Sequence, residues 1–401
     1  MSRSSSPTTA DRGRPTPSRT SAHTPPPNDQ PRQPPTMTRR DRFGFAVVLT
    51  AVSGLLIENG TSSSPWLFFD AWGLLFVLPL YGLHVLLLAR AVLATPRPTL
   101  PLLYVAGALL GLYEAYITKV LWSPTWGPTD GPVVGGLHVF QTAVLVLFAH
   151  PVLAFIAPLV IAEAHLTGRS GVIAGMPPRL AAALGSPRGR AWVAAALTLS
   201  LAAHHAAVPG GPVLVGASAL ANTLVVAVLV WWWHRRYAAR PLPTLREALP
   251  GPRATVILAG LLGLHYVVAG VLVRPEGVPQ TAGPHVVLAA IYVVLIAILL
   301  RLVRRDRRAL PEHLRASPML DHVQAGLADP TLQGTPVRPP HLDPALRIFL
   351  VGYPLLSAAL SVVPPVAQLV VVVTWVVAIP YGAWQLGQAA YLSIVPPRGA
   401  R

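Results

Sequence analysis

The sequence has no cysteine, a single lysine (Lys119) and few charges of either sign. The absence of cysteine excludes disulfides, thiolate nucleophiles, cysteine-ligated zinc and iron–sulfur clusters. Charged residues are 11% of the 401, whereas a soluble domain carries about 25%. Missing too are a glycine-rich phosphate loop, an HExxH zinc helix, a GxSxG elbow and the paired aspartates of magnesium–diphosphate chemistry. The sequence therefore calls for no cofactor and no metal.

What remains is apolar: 53% of the residues are hydrophobic. The net charge of +16 would suggest nucleic acid in a soluble protein. Here the arginines flank apolar runs and form no basic module, so the expected partners are the lipid bilayer and a small-molecule, ion or lipid substrate, with no nucleic acid.

Residues 1–40 are rich in Ser, Thr, Pro and Arg and are expected to form a disordered cytoplasmic tail. They hold no apolar signal-peptide core, so the first span is expected to act as an uncleaved anchor.

A helix needs about 20 apolar residues to cross the hydrocarbon core. Ten segments are candidates: Phe43–Ile57 (short, extended by Asn59 and Gly60), Ala71–Leu88, Leu100–Trp122, Val139–Ala162, Ala191–His205 (also short), Val213–Trp233, Ala254–Val273, Val286–Leu302, Ala345–Val363 and Val366–Leu392. The expected fold is an all-α polytopic transmembrane bundle of about ten spans in the cell membrane, with both termini cytoplasmic. Residues 41–303 carry spans one to eight, 304–344 a cytoplasmic loop with a short helix near Met319–Ala328, 345–393 spans nine and ten, and 394–401 a tail. Under that threading only Lys119 and Arg274 of the 31 basic residues fall toward the outside, as the positive-inside rule requires.

Spans three and seven share Leu109-Leu110-Gly111-Leu112 and Leu261-Leu262-Gly263-Leu264. A parallel four-plus-four repeat would place a site at the repeat interface; a chance match of common residues is the alternative.

Ionisable residues inside spans are costly and usually face the bundle interior. Glu114, near Tyr116 and Lys119, is the leading candidate to bind a proton or a cationic substrate group. Helical spacing puts Gly107, Gly111, Glu114 and Thr118 on one stripe, and its small residues admit a neighbouring helix. Structural hydrogen bonding is the alternative for Glu114, and anchoring at the outer interface, or pairing with Asp70 or Asp130, for Lys119. Glu58, Asp70, His138, His150, His204 and His205 complete the candidates, most of them toward the outer half. Asn59-Gly60-Thr61 also fits a glycosylation sequon.

His150-Pro151 followed by His204-His205 resembles the copper-ligating arrangement of haem–copper oxidases. The resemblance covers those four residues alone. The His-x-His haem ligands and a Tyr four residues after His150 are lacking, and the spans are too few, so no haem or copper role is carried over. The candidate functions are a transporter or permease, a membrane-embedded enzyme acting on a lipid or lipid-linked substrate, and a non-catalytic assembly subunit.

Overall fold

The structure, a computed structural model, describes residues 37–95, 97–118, 131–168, 171–238, 240–273, 275–308 and 343–395. Lys119, Asp130, Arg274 and the expected Met319–Ala328 helix lie outside these residues.

The described chain is almost entirely helical. Its principal elements are α1 (Arg39–Gly54), α2 (Leu78–Val92), α3 (Leu100–Thr118), α4 (Val139–Val144), α5 (Ala157–Ile161), α6 (Pro178–Gly185), α7 (Pro187–His205) and α8 (Gly211–Arg236). After them come α9 (Leu245–Ala248), α10 (Pro252–Val267), α11 (Ala282–Arg308), α12 (Pro344–Val362) and α13 (Pro364–Ile394). Between α3 and α4 a small hairpin pairs β1 (Val133–Val134) with β2 (Leu137–His138).

Seven helices among the described residues are long and apolar enough to cross a membrane. Their bounds are Gly73–Val92, Val139–Leu166, Gly211–Arg236, Pro252–Leu272, Ala282–Arg307, Pro344–Val362 and Pro364–Ile394. The chain is thus an all-α membrane protein. The other three expected segments fall on α1 with its extension, on α3 and on α7. Their bounds shift: α1 begins at Arg39, ahead of the apolar run, and α7 begins at Pro187 because Ser186 accepts a cap bond from Gly189 N. Such caps satisfy amides that the first helical turn leaves open.

Several helices are widened into π-turns: Leu55–Asn59 after α1, Gly73–Val77 before α2, Leu145–Ile156 and Ala162–Leu166 around α5, and Val268–Leu272 after α10. The long one contains Pro151. Proline lacks an N–H and crowds the carbonyl four residues back, and local widening accommodates both defects.

The core is built by α1, α2, α3 and the helix Val139–Leu166, the most buried of the seven long helices. Residues on α10, α11 and α13 such as Ile257, Val293 and Val376 point outward. In water they would form an apolar surface of a size monomeric soluble proteins avoid; in a bilayer they meet lipid.

One end of the bundle is tied together by arginine. Arg236 Nε donates to Asp41 Oδ1 at 2.7 Å, Arg42 Nε to Glu247 O at 3.1 Å, and the buried Arg246 to Thr95 O at 2.6 Å. Arg190 pairs with Asp343 at 3.1 Å, and Arg305 reaches Leu392 O. Opposite ends of the same helices meet elsewhere: Ser62 donates to His204 O, and Asn222 Nδ2 donates to Pro65 O at 2.7 Å.

Candidate functional site

The glycine stripe of α3 explains where Glu114 lies. A Cβ at Gly107 would collide with the backbone of Pro151, and one at Gly111 would fall 2.7 Å from Leu145 O and 3.1 Å from His150 Cβ. Only hydrogen at these positions lets α3 close onto the π-helical segment Leu145–Ile156. From the far side Gly382 of α13 packs directly on Leu147 O, the carbonyl four residues before Pro151 that a proline nitrogen cannot serve.

This close approach brings four side chains from four helical segments into one buried chain. His150 Nε2 lies 3.6 Å from Glu114 Oε2 and 3.2 Å from Tyr81 Oη. The Tyr81 hydroxyl donates to Glu58 Oε1 at 2.6 Å, and Ser64 Oγ donates to Glu58 Oε2 at 2.9 Å. His150 Nδ1 faces Leu145 O at 3.2 Å. Tyr81 and His150 are inaccessible, and both glutamates are at least nine-tenths buried.

Hydrogen-bond chemistry assigns the roles. A carbonyl only accepts, so His150 Nδ1 carries a proton toward Leu145. Tyr81 spends its one proton on Glu58, which leaves its oxygen as an acceptor for His150 Nε2. A proton on Nε2 is then shared between Glu114, just beyond direct bonding distance, and the Tyr81 oxygen. The Glu114–His150 pair shares one transferable proton, which rests on Nε2 or on the carboxyl; only on Nε2 does it also serve the Tyr81 oxygen. The arrangement can hold a proton and pass it between two carboxylates.

The remaining candidates sit elsewhere. Asp70 Oδ1 accepts from Gly73 N at 2.5 Å and acts as a helix cap. His138 is buried where β2 runs into α4. His204 Nδ1 bonds Ser200 O at 2.7 Å. His205 donates to Asn59 O at 2.6 Å and meets Ser218 Oγ at 2.9 Å, a buried network that also holds Tyr353 on Asn59 Oδ1 at 2.8 Å. That network pins the segment after α1 to α7, α8 and α12. His150 and His205 bond different partners, so nothing in the fold joins them as the oxidase-like pattern would. Asn59 is fully buried with Nδ2 on Pro65 O at 2.9 Å, which leaves its amide closed to glycosylation.

Tyr116 packs on the other flank of α3, where a Cβ at Gly270 would fall 2.5 Å from its ring. The proposed repeat loses its packing basis: Gly111 is pressed between helices, whereas Gly263 has nothing within 4 Å.

Tyr81 is the member that reading the residues did not single out. A lone tyrosine in an apolar span carries no signal, since its hydroxyl is readily satisfied within a bundle. Its position three residues before His84 on α2 is visible only as a weakly polar stripe.

A family model matches residues 47–382, most of the chain. The chain belongs to an uncharacterised membrane protein family. The matched range contains Glu58, Tyr81, Glu114 and His150. The chain is also similar to an uncharacterised protein of Archaeoglobus fulgidus, with 49% identity over 123 residues, 30% of this chain and 37% of that protein. It thus spans little more than a third of that relative's length. No solved structure matches the chain.

Proposed function

We propose that the chain is a proton-coupled transporter or permease of the cell membrane, with ten spans and both termini cytoplasmic. The observation that carries this reading is the buried chain Glu58–Tyr81–His150–Glu114. Intramembrane carboxylates are expensive to keep, and in bundles they mark ion and proton pathways. Two members, Glu58 and His150, lie on π-helical turns, and His150 precedes a proline inside its helix. Interrupted helices around a polar centre are how transporters place a site near the bilayer midplane.

The ten-span threading is supported by the ends of the helices. Arg42, Arg190, Arg236, Arg246 and Arg305 all bind partners at the arginine-rich end, which the positive-inside rule assigns to the cytoplasm. Glu58, through Ser64 and the segment after Asn59, lies toward the opposite end. Proton access is therefore from the extracytoplasmic side.

The test uses the purified full-length chain in liposomes containing a pH-sensitive dye, challenged with a panel of organic cations, amino acids, sugars and carboxylates. At least one class should shift the lumenal pH, and Glu114→Gln should abolish that shift. Turnover of a lipid or lipid-linked compound in detergent, without any gradient and with no solute-driven pH change in liposomes, would replace this reading with that of a membrane-embedded enzyme.

A further inference from the structure

The second polar cluster within the membrane lies on the flank of α3 that faces α10 and α11, and it is made of rings. His84 stacks near Tyr113 with centroids 4.2 Å apart, and Tyr113 lies 3.5 Å from Tyr266 and 6.2 Å from His265. Tyr116 is 6.2 Å from Tyr266 by ring centroid. Helices α10 and α11 are consecutive, yet they do not pack along one another: α10 rests on α2, and α11 on α3 and α13. The Tyr266 and Tyr292 hydroxyls meet at 3.3 Å across the gap. No residue of α10 is fully buried.

At the floor of this seam, Tyr113 is wholly inaccessible, and its hydroxyl has no hydrogen-bond partner among the described residues. The Nε2 of His265 is in the same condition. A buried hydroxyl left unpaired costs about 1–3 kcal/mol, so such groups normally have a partner. The Tyr113 hydroxyl and the His265 ring nitrogen, both without a partner among the described residues, are open to a ligand that arrives from the lipid beside α10.

We infer that the Tyr113–Tyr266–Tyr292 seam between α10 and α11 is the lateral entry and binding site of a lipophilic amine. Two observations select that chemistry. Tyrosine faces attract cations. The Tyr113 oxygen and a neutral His265 nitrogen can accept the N–H groups of an ammonium. An alkyl tail lies in the lipid between the two helices. The inference goes beyond the proposed proton coupling and does not depend on it.

The test is photolabelling of the full-length chain in lipid nanodiscs with three probes sharing one diazirine-bearing dodecyl chain, ending in an amine, an alcohol or a carboxylate. Peptides from α10 and α11 should be labelled by the amine probe, and excess dodecylamine should compete. Tyr113→Phe should weaken amine labelling roughly tenfold, the value of one lost hydrogen bond, while yield and thermal stability are unchanged because no protein partner is lost. Equal labelling by the three head groups would show annular lipid contact alone and overturn the site. A Tyr113→Phe protein that fails to fold would overturn it too, by showing that the hydroxyl has a structural partner. Intact amine labelling in a protein that gives no solute-driven pH change would remove the coupling and leave the binding site standing.

Discussion

His150 Nε2 sits 3.6 Å from the carboxylate of Glu114 because Gly111, one turn earlier on α3, lets the two helices close to van der Waals contact. The pair joins the stripe legible on α3 to Tyr81 on α2 and to Glu58 on the π-turn after α1.

Gly111 and Gly263 occupy the same Leu-Leu-Gly-Leu sequence, and only the first is enclosed. Gly111→Leu should therefore lower stability by about 2 kcal/mol or more, the penalty for overpacking against backbone. Gly263→Leu should stay within about 0.5 kcal/mol, as surface substitutions do. Thermal unfolding of both variants in one detergent checks the pair; equal effects would show that Gly111 is not at a contact.

The Tyr81 hydroxyl donates to Glu58 and accepts from His150, so Tyr81→Phe removes the link between them and leaves both without it. A loss of about 1–3 kcal/mol is expected, together with proton transfer slowed at least roughly tenfold. Stopped-flow pH-dye measurements on proteoliposomes after a solute pulse read the rate. An unchanged rate would take Tyr81 out of the pathway.

Asp41 lies ahead of the first apolar run. Desolvation opposes its charge, but hydrogen bonds from Thr38 and Arg236 outweigh it and hold the carboxyl below its ordinary value near 3.8. A carboxyl with a lowered folded-state pKa contributes stability above its unfolded value and loses it as pH falls through the folded value. Wild type should lose stability relative to Asp41→Asn as the buffer is taken from mildly acidic to below the ordinary aspartate range. A constant gap between the two across that range would refute the assignment.

The orientation is checked by reporter fusions. Fusions after Arg40, Arg188, Arg246, Asp321 and Arg398 should report the cytoplasm, and fusions near Ser63, Asp130 and Gly277 the outside. An outside signal at Arg246 would contradict the ten-span threading.

Much of this architecture is legible in the residues because the bilayer imposes one dominant rule: apolar length. Among the described residues each of the ten expected segments falls on a helix, and seven of those helices meet the length and hydropathy expected of a span by themselves. The position of Glu114 is legible for a second reason, the 3.6-residue period that sets Gly107 and Gly111 above it. Its partner is not, because meeting His150 depends on π-turns and a Pro151 distortion that shift the helix register. Tyr81 is hidden because a lone tyrosine in an apolar span carries no signal, and the bond from Ser64 to Glu58 needs the turn after Asn59. His204 and His205 look like a pair, yet adjacent residues on a helix point about 100° apart, and here only His205 enters the buried network.

The most direct test of the central claim is to watch Glu114 itself gain and lose a proton. Infrared difference spectra of the purified chain, exchanged between acid and alkaline buffer, should contain a carboxyl C=O band of a buried acid. Glu114→Gln should remove that band while folding to a similar yield, and His150→Asn should shift the pH at which the band disappears. A Glu114→Gln spectrum that superimposes on wild type would contradict the account.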